Sequence, residues 1–283
     1  GGNYNTVVGD EAGTAITTGD GNTAVGFEAL KTEDAHGFNT AIGHQTLKTL
    51  NAGADTYNTA VGYNAGTAVT TGTSNTLIGG LAGDAITTGG SNVALGTSAL
   101  SANTTASNNT AVGYQAGYSN TTGTQNVFLG THAGSTNTVG ANNVAVGFKP
   151  FFGSAAVTGG SNAVVGNYAL YVNTTGTNNT GIGQETFFGN TTGGYNTAVG
   201  SNALRSNTTA SNNTAVGYQA NLNGTTGGVN TFVGAESAGN GVVTGTHNVG
   251  LGAETLYRLT SGVSNVSIGY QALSFLTTGS SNV

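Results

Sequence analysis

Two pairs of adjacent carboxylates, Asp10-Glu11 and Glu33-Asp34, are the residues of this sequence best suited to chemistry. Enzymes that cleave polysaccharides place two carboxylates roughly 5–10 Å apart across a sugar. Both pairs stand at variable places of the repeat that runs along the chain, so we interpret them as solvated surface charge. No Ser-His-Asp grouping, histidine pair at metal spacing or phosphate-binding loop rises above the glycine-rich background of the sequence. We predict no catalytic residues, no metal ligands and no cofactor.

Aromatic side chains that follow a glycine form a second set of candidates. Their flat faces could stack on sugar rings, while neighbouring Gln, Asn and Glu side chains bind hydroxyl groups. The alternative is that they cover the edge of the fold or fill a seam between subunits. The candidate surface contacts, which include the bulky run after Gly147, are Tyr63, Tyr114, Tyr218, Tyr270, Lys149, Phe151 and Phe152.

Threonine pairs such as Thr17-Thr18, Thr70-Thr71 and Thr104-Thr105 are a third candidate. A regular lattice of hydroxyl and methyl groups on a flat face could order water as ice-binding proteins do. Adjacent residues of a strand point to opposite faces, so only one threonine of each pair would face out. Ice binding therefore stays an alternative, beside glycan binding.

All these residues belong to a repeat that opens with Asn and whose first five residues are most commonly Asn-Thr-Ala-Val-Gly. Thirteen of the sixteen gaps between successive opening Asn residues are 17 residues, two are 19 and one is 18. A fixed short period is typical of a solenoid, whose units must stack to bury a face. We predict an all-β parallel β-solenoid of about 16 coils that forms one continuous array over residues 1–283, as a section of a longer protein. With strands roughly 4.8 Å apart, such an array would be on the order of 75–80 Å long.

Numbering the opening Asn as place 1 assigns a role to most of the unit. The aliphatic residue at place 4 is expected to point into the core, and the glycine at place 5 to turn the chain. A small residue at place 8 is expected to be buried, while places 9 and 12 share one space, as in Gly83 with Ile86. We expect two or three short strands per coil and essentially no helix. The turn glycines include Gly26, Gly43, Gly62, Gly113 and Gly217.

The opening Asn side chains are expected to form a ladder in which each coil bonds the next, as stacked Asn residues do in cross-β arrays. The predicted ladder includes Asn22, Asn39, Asn58, Asn75, Asn92, Asn109, Asn126 and Asn143. Three long units, at 39–57, 143–161 and 230–247, must accommodate extra residues as bulges. Insertions of this kind commonly lie on a binding face, although neutral insertions explain them equally well.

Composition excludes several kinds of partner. The chain has eleven acidic and five basic residues, a formal net charge of −6 and no basic run, which argues against nucleic acid. It has no cysteine, and no apolar run approaches the roughly 18 residues of a membrane span. Each coil buries little apolar surface against the ordering entropy of its residues, which favours an oligomer, and a homotrimer above other oligomers.

The runs Asn-Thr-Ala-Val-Gly-Tyr-Gln-Ala and Asn-Thr-Thr-Gly, found across 109–123 and 196–220, resemble the repeats of phage tail-fibre and related surface-fibre proteins. They are more distantly similar to the shorter head repeats of trimeric autotransporter adhesins, which are trimeric β-rolls. The resemblance implies a non-enzymatic, extracellular or virion-surface fibre shaft that presents an adhesive surface to a receptor or glycan. It also implies trimerisation.

Overall fold

The computed structural model describes residues 2–153 and 155–283, so Gly1 and Ser154 lie outside the described residues. The chain forms two compact units, residues 1–142 and 143–283. Each unit is a parallel β-solenoid in which every coil adds one three-residue strand beside the strand of the coil before it. The predicted fold class is confirmed, and no helix is found in the described residues.

In unit 1, neighbouring strands pair in parallel in chain order. Its strands are β1 (Thr6–Val8), β2 (Thr23–Val25), β3 (Thr40–Ile42), β4 (Thr59–Val61), β5 (Thr76–Ile78), β6 (Val93–Leu95), β7 (Thr110–Val112) and β8 (Val127–Leu129). Residues at the same place of the repeat lie opposite each other in neighbouring strands: Thr23 lies opposite Thr40, and Val25 opposite Ile42.

Unit 2 repeats the same pairing in the same register. Its strands are β9 (Val144–Val146), β10 (Ala163–Val165), β11 (Thr180–Ile182), β12 (Thr197–Val199), β13 (Thr214–Val216), β14 (Thr231–Val233), β15 (Val249–Leu251) and β16 (Val266–Ile268).

The prediction that place 4 fills the core is wrong. Place 3 points inward instead: Ala24, Ala94 and Ala111 are fully buried, whereas Leu95 at place 4 is 44% exposed. Alternation along a strand puts places 2 and 4 together on the opposite, outer face. The inside of the coil is too narrow to take a branched side chain at every level, so it takes the alanine.

At Leu77 and Phe128, glycines at place 9 make room for a larger inward residue. A Cβ added to Gly117 or Gly134 would lie 2.8 Å or 2.2 Å from the Phe128 ring. One Phe128 ring thus fills the space left by two glycines. The predicted sharing between places 9 and 12 also holds, because a Cβ on Gly83 would lie 2.7 Å from Cδ1 of Ile86.

The remainder of each coil is built of turns rather than of the predicted second and third strands. Non-glycine residues at places 7, 9 and 17 adopt positive φ, as in Glu28 (52°), Leu30 (50°) and Phe38 (63°). A residue with positive φ cannot continue a β-strand. Place 8, between two such residues, holds a small buried residue as predicted, for example Ala29 and Ala116.

The opening Asn residues connect successive coils through their side chains. Within each unit, the amide oxygen Oδ1 of an opening Asn accepts a hydrogen bond from the backbone N–H of the next, for example from Asn75 N–H to Asn58 Oδ1 at 2.9 Å. The side-chain nitrogen Nδ2 donates to a backbone carbonyl at place 15, as Asn75 does to Gly89 at 2.9 Å. Both bonds are buried, which makes these residues part of the interior. We call each hydrogen bond from a backbone N–H to Oδ1 a rung of the ladder. The predicted residues that take part in such rungs as donor or acceptor are Asn22, Asn39, Asn58, Asn75, Asn92, Asn109, Asn126 and Asn143.

The turn glycines are required by backbone contact between coils. Gly26, Gly43, Gly62, Gly113 and Gly217 have φ between 129° and 139°, a region that L side chains rarely adopt. A Cβ on Gly113 would lie 2.5 Å from the carbonyl oxygen of Gly130 in the next coil. No side chain fits this position.

The long coils keep buried residues at the inward places of the regular coils. In the 39–57 coil Leu50 is fully buried, whereas Gly53 lies in open space. In the 143–161 coil Phe151 is buried at 1% exposure, so its prediction as a surface contact is wrong. Phe151 occupies place 9, where Leu30 and Leu100 are also buried.

Candidate functional site

The outer face of the sheet is the most regular surface of both units. Two columns of side chains cover it, mostly Thr or Val at place 2 and Val, Ile or Leu at place 4. Leu95, Val165 and Ile182 are 44%, 45% and 49% exposed, respectively. Neither column contains a charged residue. We call this surface the sheet face; it is formed by places 2 and 4 of β1–β8 in unit 1 and of β9–β16 in unit 2.

The threonine pairs contribute to coil stacking, which their sequence did not reveal. The hydroxyl of the first threonine, at place 13, donates to the place-13 carbonyl of the next coil. Examples are Thr70 to Thr87 at 3.2 Å, Thr174 to Thr191 at 2.9 Å and Thr191 to Thr208 at 3.1 Å. This hydroxyl is therefore engaged in the fold, and only the second threonine of the pair is directed to solvent.

The predicted aromatic residues after the turn glycine are exposed. Tyr63, Tyr114, Tyr218 and Tyr270 expose 57%, 49%, 53% and 70% of their surface. In unit 1 they contact rings of neighbouring coils: the Tyr63 ring stacks on His44 at 5.2 Å between centroids, with the planes at 22°, and Tyr114 meets His132 edge-on at 5.2 Å. Such offset pairs contribute about 0.5–1.5 kcal/mol beyond burial.

A larger aromatic surface lies in unit 2. At place 10 of successive coils Phe152, Tyr171, Phe188 and Arg205 form a column, in which Tyr171 and Phe188 stack at 4.9 Å with their planes 3° apart. Phe152 lies 6.1 Å from Tyr171, and the Arg205 guanidinium lies 4.9 Å from the Phe188 ring. We call this column, with the neighbouring Phe148, Lys149 and Tyr168, the aromatic platform.

Two cations border the aromatic platform. The Lys149 ammonium lies 5.1 Å from the Phe148 ring centroid and 4.6 Å from that of Phe152, within the range of cation–π attraction. Arg205 is paired through Nε with Glu185 at 2.7 Å. Among the described residues, no carboxylate pairs with Lys149. The platform thus combines flat apolar faces with one ammonium group that carries uncompensated charge.

Comparison with family models, with curated proteins and with solved structures gave no match. The assignment of function therefore depends on the surfaces of the chain itself. The described part of the chain contains no helix with the length and hydrophobicity that a bilayer crossing requires.

A charged network links the first three coils of unit 1. The Glu28 carboxylate accepts from Lys31 Nζ at 2.6 Å, from Lys48 Nζ at 2.6 Å and from Gln45 Nε2 at 2.7 Å. Lys31 also pairs with Glu11 of the preceding coil. The hydrogen bonds from Lys31, Lys48 and Gln45 lower the pKa of Glu28 to about 2. The network ties the coils together through side chains, beside the backbone ladders.

This lowered pKa predicts how acid affects the fold. Glu28 stabilises the folded state above the ordinary carboxyl pKa, and this contribution is lost as the pH falls from about 4.5 towards about 2. Thermal melts of wild type and Glu28→Gln between pH 2 and pH 7 should converge over this window, with the wild type more stable at its upper end. Glu236→Gln serves as the control, because no described lysine or arginine pairs with the Glu236 carboxylate. Parallel curves for wild type and Glu28→Gln would contradict the assignment.

The second carboxylate pair departs from the prediction of solvated charge. Glu33 is fully buried, because it occupies place 12, an inward place that holds Leu50 in the next coil. The structure also brings Asp34 and His36 to it: one ligand atom of each of the three residues lies within 4.8 Å of the others. Burial raises the pKa of Glu33, against the opposing effect of the His36 and Ala52 backbone amides. The inward orientation of place 12 was the signal that sequence reasoning missed.

Proposed function

We propose that this chain is a non-enzymatic shaft segment of an extracellular or virion-surface fibre, which assembles as a homotrimer through the sheet face. The observation that supports this proposal is the exposure of an unbroken aliphatic column at place 4. Monomeric soluble proteins rarely expose contiguous apolar patches above roughly a few hundred Å². In each unit eight successive levels carry such a residue.

A three-fold arrangement suits the shape of this face. Each strand is only three residues long, so the face is two side chains wide and cannot form a broad sheet-on-sheet sandwich. Three narrow faces can meet around an axis parallel to the stack and bring place 4 of all three chains together at every level. The coils then share a common core, which compensates for the thin interior of each chain. The fibre resemblance of the repeats favours the same arrangement.

Assembly is tested by measuring the mass in solution of the wild type and of two double variants. Leu95→Lys with Val112→Lys places charge on the sheet face, and we expect it to convert a particle of three chain masses to single chains. Thr105→Lys with Thr122→Lys adds the same charge in the same coils on another surface, and this control should stay trimeric. Light scattering after size-exclusion chromatography gives the masses. A wild type that is monomeric at micromolar concentration would overturn the trimer.

The ice-binding alternative involves a different surface, formed by the second threonine of each pair, such as Thr71 and Thr105. Assembly through the sheet face would leave that surface free, so ice shaping has to be measured separately. A monomeric wild type that shapes ice crystals would replace the shaft proposal.

Glycan binding is a second candidate function, favoured by the aromatic platform. Ring faces stack on sugar rings, and the Lys149 ammonium, which no described carboxylate pairs, favours a sugar that carries a carboxylate. We expect binding to an array of acidic glycans, and we expect Tyr171→Ala to weaken it about tenfold, which corresponds to about 1.4 kcal/mol. Tyr118→Ala is the control, since Tyr118 is exposed but lies outside the platform. Equal binding by both variants would show that the platform is not the site.

A further inference from the structure

We propose that Glu33, Asp34 and His36 bind a divalent transition-metal ion, for which zinc is the best match. This site is independent of the shaft proposal. It would act as a structural clip in the second coil of unit 1, next to the long 39–57 coil.

The spacing of His36 and Glu33 is close to that of two ligands in a metal site, and Asp34 lies nearby. Their ligand atoms lie within 4.8 Å of one another, and His36 Nδ1 lies 3.7 Å from Glu33 Oε1. Ligands at about 2.0–2.2 Å from zinc in a tetrahedron are about 3.3–3.6 Å apart. The His36–Glu33 distance therefore needs a contraction of only a few tenths of an ångström.

Unpartnered buried atoms point to a ligand. The Glu33 side chain is fully buried, and its Oε2 has no hydrogen-bond partner among the described residues. Nδ1 of His36 is also buried, and it too lacks a hydrogen-bond partner in that part of the chain. A buried polar atom that lacks a partner is costly to the fold. A metal ion would accept lone pairs from both atoms at once.

Comparison with other coils shows what is unusual about Glu33. At the same place Asn120 donates through Nδ2 to the Gly123 carbonyl at 2.9 Å, and Asn103 Oδ1 accepts from Ala106 N–H at 3.0 Å. Glu33 Oε1 makes the equivalent acceptor contact with His36 N–H at 3.2 Å. Its second oxygen cannot donate as the amide does. The Glu33 carboxylate thus makes the acceptor hydrogen bond of an amide at this place but not the donor hydrogen bond. It lies beside Asp34 and His36.

The donor set selects the class of metal. The imidazole nitrogen is a borderline donor that suits zinc, zinc also binds carboxylate oxygens, and three protein ligands leave a fourth position for water. Calcium prefers six to eight oxygen ligands, which this site does not offer. The two carboxylates also balance the charge of a divalent ion.

The test is titration of the chelator-treated full chain with zinc chloride, followed by calorimetry and thermal melting, with cobalt(II) as an optical probe. We expect one saturable zinc per chain, a melting temperature raised by several degrees and the visible absorption bands of a low-coordinate cobalt site. Glu33→Gln and His36→Gln should each weaken binding at least tenfold, whereas His247→Gln should not. Glu33→Gln is expected to fold, because a glutamine amide can donate a hydrogen bond as Asn120 does. The metal-free variant should therefore melt no lower than the metal-free wild type, so that weaker binding cannot be attributed to unfolding.

Three outcomes would overturn the site. Absence of saturable binding would show that these three residues do not form a metal site. Binding that survives both Glu33→Gln and His36→Gln would place the metal elsewhere on this acidic chain. Zinc binding without any change in melting temperature would exclude a structural clip.

Discussion

Gly79→Ala is expected to destabilise unit 1 by about 3 kcal/mol or more, from strain at a special φ and from contact with immovable backbone. Gly79 has φ of 135°, and a Cβ there would lie 2.6 Å from both the carbonyl carbon and the carbonyl oxygen of Gly96. Because the stacked turns consist of backbone, neither atom can move away without breaking the ladder. The loss is measured by thermal and denaturant unfolding, with limited proteolysis to show where the array opens.

The neighbouring residue provides the control. At Gly80 no atom of the described residues lies within 4 Å of an added Cβ, and Tyr63 and Tyr114 occupy the same place in other coils. Gly80→Ala should therefore change stability by no more than about 0.5 kcal/mol. Equal losses for Gly79→Ala and Gly80→Ala would refute backbone contact between coils as the reason for glycine at this turn.

Asn58→Ala is expected to cost about 2–6 kcal/mol, because two buried backbone groups lose their partners at about 1–3 kcal/mol each. The Asn75 N–H donates to Asn58 Oδ1 at 2.9 Å, and the Gly72 carbonyl accepts from Asn58 Nδ2 at 2.8 Å. Denaturant unfolding of the variant gives the loss. Hydrogen exchange should show faster exchange at the Asn75 amide.

Thr71→Ala is the matched control for Asn58→Ala, since Thr71 is exposed in the same coil. It should unfold like the wild type. If Asn58→Ala were as stable as Thr71→Ala, water would have to replace the side-chain amide at this level, and the ladder would not be a source of stability.

The repeat was sufficient to predict the parallel solenoid, because residues that recur at one spacing must occupy equivalent positions in stacked coils. It also identified the Asn and Gly places, since each has one physical reason for being invariant within the chain. The inward face of the strand could not be predicted in the same way. Places 3 and 4 are both apolar, and only the narrow interior decides that alanine turns inward and valine outward.

Other features of the structure could not be read from a single residue or a short motif. Positive φ at Glu28 and Leu30 is imposed by stacking, not by residue type, so the turns could not be distinguished from strands. The aromatic platform depends on place 10 of successive coils, where Phe152, Tyr171 and Phe188 come together only once the register is known. The burial of Glu33 was missed because the residue type at place 12 varies, although aliphatic residues there, such as Ile86, indicated an inward position.

The long coils form the same Asn hydrogen bond to the next coil that the regular coils form. The Asn58 N–H reaches Asn39 Oδ1 at 3.0 Å across 19 residues, and the Asn248 N–H reaches Asn230 Oδ1 at 2.9 Å across 18. This hydrogen bond between coils therefore depends on the opening Asn residues and tolerates one or two extra residues between them. A gene that encodes such a chain can gain or lose whole repeats by recombination, and every remaining coil keeps an equivalent neighbour on each side. Length and surface decoration can then evolve separately from the interior that holds the coils together.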